Sequence, residues 1–254
     1  MKSNLIENNK EVLNKALELI NSNADRGVQI RLLGGLACFY IAKQILANHE
    51  FLHRKYNDLD FIGHKKDSKN IKLNLKGFGL EGDDRFNAMN GDSRLLFYLN
   101  GKKVDIFLDI FNMSHKWEIG SRIDQFPITI PPSDLFLTKM QIYEINEKDI
   151  IDIISLLLSL NPSEKDSLNS MDLNYIAKLL STDWGFYKTF TLNLDKVSAY
   201  TRNLPIDSAD LNIMTKKINL IQSRIESYPK SIKWKMREKI GTKIRWYELP
   251  EEVK

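Results

Sequence analysis

An apolar run from Val28 to Leu33 stops at two glycines, Gly34 and Gly35, and a stretch of helical period follows, roughly Leu36 to Ala47. The chain then reads Asn57-Asp58-Leu59-Asp60-Phe61, two carboxylates at i and i+2 inside a run that is otherwise strand-like. A strand, a glycine turn, a helix and a second strand ending at Gly63 restrict the N-terminal part to an α/β arrangement. Both aspartates project from one face of their strand, because side chains alternate with a period of two. Hard divalent ions prefer carboxylate oxygens and keep coordination positions for phosphate and water, so this face suits Mg²⁺.

Further along, Arg94 to Leu99, then Asn100-Gly101, then Lys102 to Ile110 has the form of a β-hairpin, since Asn-Gly suits the positive φ angles of a tight turn. Its second strand carries Asp105, Phe107 and Asp109 on one face and Val104, Ile106 and Leu108 on the other. Asp105 is the expected third carboxylate, with Asp109 as the alternative. A glycine pair, an Asp-x-Asp strand and a third strand aspartate, in that order, suggest phosphoryl or nucleotidyl transfer. That chemistry needs a triphosphate held in line and its developing charge neutralised, which two ions on three carboxylates achieve. Gly34 and Gly35 would let backbone amides at a helix N-terminus reach phosphate. Arg54, four residues before Asp58, either steers the triphosphate or is an ordinary surface arginine.

The remainder reads as helix. Ile128-Thr129-Ile130 is expected as a short strand, followed by helices from about Asp134 to Ile145 and, capped by Asn146, from Glu147 to Leu160. Asp152 lies in the almost wholly apolar Ile150 to Leu160, where a carboxylate without a partner is costly, so it should face a cation or a polar site. Lys139, one helix earlier, is the expected partner or a direct phosphate contact. Asp149 either caps its helix or serves the site. Beyond Ser163, helices are expected at Asp172 to Leu180, Phe186 to Arg202, Ser208 to Ser227 and Ser231 to Lys239. The expected organisation is an α/β domain over residues 1–130 and an all-helical domain over 131–254.

Composition limits the function classes. A chain of 254 residues that is 43% hydrophobic buries a real core, and its longest apolar stretches are too short or interrupted to span a bilayer. Cys38 has no cysteine partner, and no secretory signal is read at the N-terminus, so a cytoplasmic location is expected. Net charge is only +4, but Asn212 to Tyr247 holds ten Lys or Arg against Glu226 and Glu238. With Tyr228, Trp234, Trp246 and Tyr247 interleaved, that segment suits an RNA acceptor such as tRNA, through phosphate neutralisation and base stacking.

Leu33-Gly34-Gly35-Leu36-Ala37, Asp58-Leu59-Asp60-Phe61, Val104-Asp105-Ile106, and Lys139 with Lys148-Asp149-Ile150-Ile151-Asp152-Ile153 together resemble the DNA polymerase β-like nucleotidyltransferase superfamily. Within it, the pattern is similar to the group of AbiEii-type toxins of toxin-antitoxin systems. The resemblance covers about residues 28–160. It implies a nucleotidyltransferase-like mixed sheet with flanking helices, a nucleoside triphosphate substrate and Mg²⁺ on Asp58, Asp60 and Asp105. It also implies nucleotide binding or activation by Lys139 and by Asp149 or Asp152, and an antitoxin protein as partner. Leu36 stands where the family often has Thr or Ser, and Arg54 and Lys55 alone represent its arginine before the aspartates. A non-catalytic nucleotide- or partner-binding module is the alternative.

Overall fold

The computed structural model describes residues 2–249, with side chains from residue 5. Residues up to 40, 53–111 and 117–131 make one compact unit, and 41–52, 112–116 and 132 onward make another.

The first unit opens with helix α1 (Lys2–Ala24), whose Val12, Ala16, Leu19 and Ile20 are buried at helical spacing. Strand β1 (Ile30–Leu33) is buried throughout and runs into α2 (Gly34–Asn48), which belongs to this unit as far as Tyr40. Then come β2 (Leu59–Gly63), α3 (Ser68–Gly77), β3 (Glu81–Gly82) and α4 (Asp84–Asn90), the last capped by Asp83, which accepts from the Phe86 amide. The hairpin is β4 (Arg94–Leu99) and β5 (Lys102–Leu108), with Asn100 and Gly101 at φ 49° and 74° as the tight turn requires. Short strands β6 (Ile110–Asn112) and β7 (Lys116–Glu118) follow.

The sheet runs β1-β2-β5-β4-β3, with β6 pairing β5 and β7. It is mixed, because β2 and β5 are parallel while β1–β2, β4–β5 and β3–β4 are antiparallel. Phe61, Val104, Ile106, Leu95 and Phe97 are all buried on one face. Asp60, Ile62, Asp105, Phe107, Arg94 and Leu96 alternate with them and share the other, where the register sets Asp60 beside Asp105 and Leu96 opposite Asp105. The strand expected at Ile128 to Ile130 is only a single bridge from Thr129 to Leu32, held by Leu32 N to Ile128 O (2.8 Å) and Ile130 N to Leu32 O (3.2 Å).

The second unit contains α5 (Pro132–Met140), α6 (Glu147–Ser159), a two-stranded parallel pair β8 (Asn161–Ser163) and β9 (Ser170–Asp172), then α7 (Leu173–Leu180), α8 (Trp184–Thr201), α9 (Ser208–Ser227) and α10 (Ile232–Ile240). Five of these helices start on a side-chain cap: Asn146, Asp172, Asp183, Asp207 and Ser231 each accept from the amide three residues on. Helix α5 stops at Met140 rather than Ile145 because Asn193, on α8, donates to the carbonyls of Met140 (3.0 Å) and Ile142 (2.7 Å) and draws the chain out of the helix. At the other end of α5, Asp166 accepts from the Ser133 amide (2.8 Å) and hydroxyl (2.6 Å), which ties the β8–β9 loop to the helix start. Lys217 closes the end of α6 by donating to the carbonyls of Leu157 and Leu160, both at 2.9 Å. The chain is thus an α/β part with a mixed sheet and flanking helices, followed by a helical C-terminal part. Among the described residues no helix is long and apolar enough to cross a membrane.

Candidate active site

The turn from β1 into α2 is where the sheet and a helix N-terminus meet. Gly34 has a φ of 69°, a conformation L side chains avoid, and a Cβ built there would sit 3.0 Å from the Asp60 carboxylate carbon. A Cβ on Gly35 would press on Tyr56 Cδ1 (3.1 Å) and on Arg54 Cζ (3.3 Å). Each glycine therefore admits a charged side chain to the backbone at the start of α2. Arg54 is held over the Tyr56 ring at 3.9 Å and donates to the Lys55 carbonyl at 3.1 Å.

Asp58 is exposed and lies one residue before β2, while Asp60, on the strand, is half-buried. Asp105 is 2% exposed and is the register partner of Asp60. The structure therefore brings together Gly34, Gly35, Arg54, Asp60 and Asp105, with Asp58 at the strand's leading end. Sequence reasoning missed Arg94. Its Nε donates to Asp105 Oδ1 at 2.7 Å, its second guanidinium nitrogen donates to Oδ2, and Lys103 Nζ lies 3.4 Å from the same oxygen. The signal was present in the hairpin: a two-residue turn at Asn100-Gly101 fixes Leu96 opposite Asp105, which puts Arg94 diagonal to it on the same face.

Asp109, the alternative third carboxylate, does not continue the face of Asp105. Its φ of 58° ends the strand alternation, and its oxygens meet His64 Nδ1 (3.1 Å) and the Lys65 amide (3.1 Å). It closes the end of β5, and His64, which meets Asp124 through Nε2 at 3.0 Å, is bridged between two carboxylates.

Among the described residues no group of three or more His, Cys, Asp or Glu side chains gathers closely enough to hold one metal ion. A Mg²⁺ that brings its own phosphate oxygens and waters requires only one or two carboxylates, and by donor type Asp58 and Asp60 suit it. The expected bridging of two ions by Asp105 does not fit the arrangement, because the Arg94 fork already covers both oxygens of that carboxylate.

Lys139, Asp149 and Asp152 lie in the second unit and satisfy one another. Lys139 Nζ is 3.0 Å from Asp149 Oδ1 and 2.9 Å from Asp152 Oδ2, and Asp152 is fully buried. The buried carboxylate faces a cation as burial demands, but nothing outside the protein reaches Asp152 in this form, which argues against the direct site role expected for it. Asp149 stands at the third position of α6, its amide capped by Asn146 (3.2 Å) and its side chain turned to Lys139.

The basic C-terminal segment is also committed in part to packing. Trp234 is 4% exposed and edge-on to Tyr187 at 5.2 Å, Trp246 donates to Thr189 Oγ1 at 3.1 Å, and Tyr247 stacks on Tyr143 at 3.4 Å. These rings are not presented as open platforms for bases, contrary to the expected stacking role. Arg237 donates to the carbonyls of Gly241 (2.6 Å) and Ile244 (2.8 Å), whereas Lys216, Lys233, Lys235, Lys239 and Lys243 remain exposed.

No family model matches the sequence, and no curated protein matches it. Among solved structures, an antigenic nucleotidyltransferase-like protein from Paracoccidioides brasiliensis is similar over 88% of this chain and 94% of its own, at 15% identity and a TM-score of 0.39. At that distance the chemistry has to be read from the site itself.

Proposed function

We propose that the chain is a metal-dependent nucleotidyltransferase that moves a nucleoside monophosphate from a nucleoside triphosphate to an acceptor. The observation that supports this best is the contact at Gly34, where a carboxylate of the Asp-x-Asp strand stands against the first turn of a helix. An anion at that helix start meets unsatisfied amides and the positive end of the helix dipole. A cation held by Asp58 and Asp60 would supply positive charge beside it.

In this reading the amides of Gly34 and Gly35 and the guanidinium of Arg54 bind and orient the triphosphate. Asp58 and Asp60 hold Mg²⁺, which when bound neutralises charge on the phosphate oxygens. Lys139, Asp149 and Asp152 support the helical unit as an ion triad. The exposed lysines of α9, α10 and the segment after them suit an RNA acceptor by charge alone, without base stacking. The toxin role that the sequence resemblance implies is part of this reading.

Two observations favour the second reading, a nucleotide- or partner-binding module without catalysis. Arg94 covers the carboxylate that would complete the catalytic set. On α10, Ile232, Met236 and Ile240 are 80%, 64% and 41% exposed at helical spacing, a surface suited to a protein partner such as an antitoxin.

The test is transfer of α-labelled nucleoside triphosphates to total tRNA, with and without Mg²⁺, by wild type and by the Asp58→Ala, Asp60→Ala double variant, at several salt concentrations. Metal-dependent label that the variant loses and that falls steeply with salt supports the enzyme with an RNA acceptor. Label on a protein or small molecule redirects the acceptor. Triphosphate binding without transfer selects the second reading, and absence of both rejects each.

A further inference from the structure

We infer that Arg94 is a resident cation of the carboxylate site, so that this chain binds its nucleotide with one divalent ion and not two. The inference rests on the nucleotide-binding reading of the Gly34–Asp60 turn. Asp105 is the carboxylate that would bridge a second ion, yet both of its oxygens accept from Arg94, one of them at 2.7 Å, and Lys103 adds its ammonium at 3.4 Å. The pair is shielded: the two side chains are 17% and 3% exposed. Its geometry is also fixed from the sides, because the guanidinium lies 4.8 Å from the Phe107 ring centre and 5.8 Å from that of Phe86.

A divalent ion on Asp105 would need the same lone pairs that this planar fork occupies, and displacing the fork would leave a guanidinium among aromatic rings with its carboxylate gone. The positive charge on Asp105 is therefore supplied from within the sheet. Arg94 acts as a positioning residue: it holds both oxygens of Asp105 and adds permanent positive charge at that carboxylate, the register partner of Asp60. The ligand class is a nucleoside triphosphate carrying one divalent cation.

Counting Mn²⁺ bound to the full chain by electron paramagnetic resonance, alone and with α,β-methylene ATP, tests this. The expected result is one Mn²⁺ per chain in wild type, lost in Asp60→Asn, and a second Mn²⁺ in Arg94→Gln, where Asp105 is released. The second ion should vanish again in the Arg94→Gln, Asp105→Asn double variant, which replaces the ion pair by two amides. That gain and loss is something a merely structural pair would not produce. Two ions in wild type with one lost in Asp105→Asn overturns the inference and leaves the nucleotide reading standing. So does a single wild-type ion that Asp105→Asn removes. No Mn²⁺ in wild type with or without the nucleotide analogue overturns both. If Arg94→Gln does not fold, the wild-type count and its response to Asp105→Asn still decide the matter.

Discussion

Replacing Gly34 by alanine separates backbone strain from damage to the site. The φ of 69° alone costs a side chain roughly 1–2 kcal/mol. In addition, the new Cβ would lie 3.0 Å from the Asp60 carboxylate carbon and closer still to Oδ2, against 3.4–4 Å for ordinary contact. The carboxylate must therefore retreat by about 1 Å, and a misplacement of that size at a reacting centre costs about 100-fold in rate. Gly79 supplies the control, since its φ is 91° and nothing lies within 4 Å of a Cβ there. Both Gly34→Ala and Gly79→Ala should lower Tm by roughly 2–8 °C, the shift expected of 1–2 kcal/mol in a chain of this length. Only Gly34→Ala should also lose about 100-fold in nucleotide transfer, or in Mg²⁺-nucleotide affinity where no turnover is seen. Thermal melts by circular dichroism and the labelled-nucleotide assay read the two effects apart. Equal function in the two variants would refute the placement of the site at this turn.

Two further outcomes follow from the helical unit. Lys139→Met removes the buried ammonium that Asp149 and Asp152 share and should destabilise by about 3–5 kcal/mol, a fall of roughly 6–20 °C in Tm. A small shift accompanied by loss of nucleotide binding would instead return Lys139 to the site. His115 is stacked on Phe186 at 5.0 Å and bonded to Thr189 Oγ1 at 2.8 Å; burial lowers its pKa to about 4 against a partial opposing pull from Asp183. The unfolded chain binds the extra proton below its ordinary value of 6.5, so stability should fall as pH drops from 6.5 toward 4, by about 3 kcal/mol in all. Denaturant unfolding across that range should show the slope in wild type and a flatter line in His115→Gln.

The parts of the fold legible in the sequence were those set by local signals. The apolar run ending in two glycines, the Asn-Gly turn and the Asn146 cap each act within a few residues, and the corresponding elements form where those signals place them. What stayed hidden depends on residues far apart in the chain. Asn193 ends α5 from fifty or so positions away, and no local pattern announces it. Thr129 makes one isolated bridge, to Leu32 nearly a hundred positions earlier, where a strand was expected. Residues 84–90 form α4, although that stretch shows no helical period. At the site, strand alternation gave the faces of Asp60 and Asp105, whereas their juxtaposition comes from the parallel β2–β5 register; Arg94 was deducible from the hairpin. The positive φ of Asp109 was not, since it arises where β5 turns out of the sheet and hands its carbonyl to the amides of Ile119 and Gly120, both at 2.8 Å.

The two-residue turn at Asn100 and Gly101 works as a ruler for chemistry six residues away. Every pairing from Leu99–Lys102 back to Arg94–Phe107 is counted from it. One residue added to the loop on the β5 side would carry Asp105 from beside Asp60 to the face of Val104 and Ile106, exchanging a charge for a methyl-bearing side chain in both places. Length, more than composition, is thus the quantity this hairpin has to preserve. Many sequences satisfy the strands, but few loops keep the count.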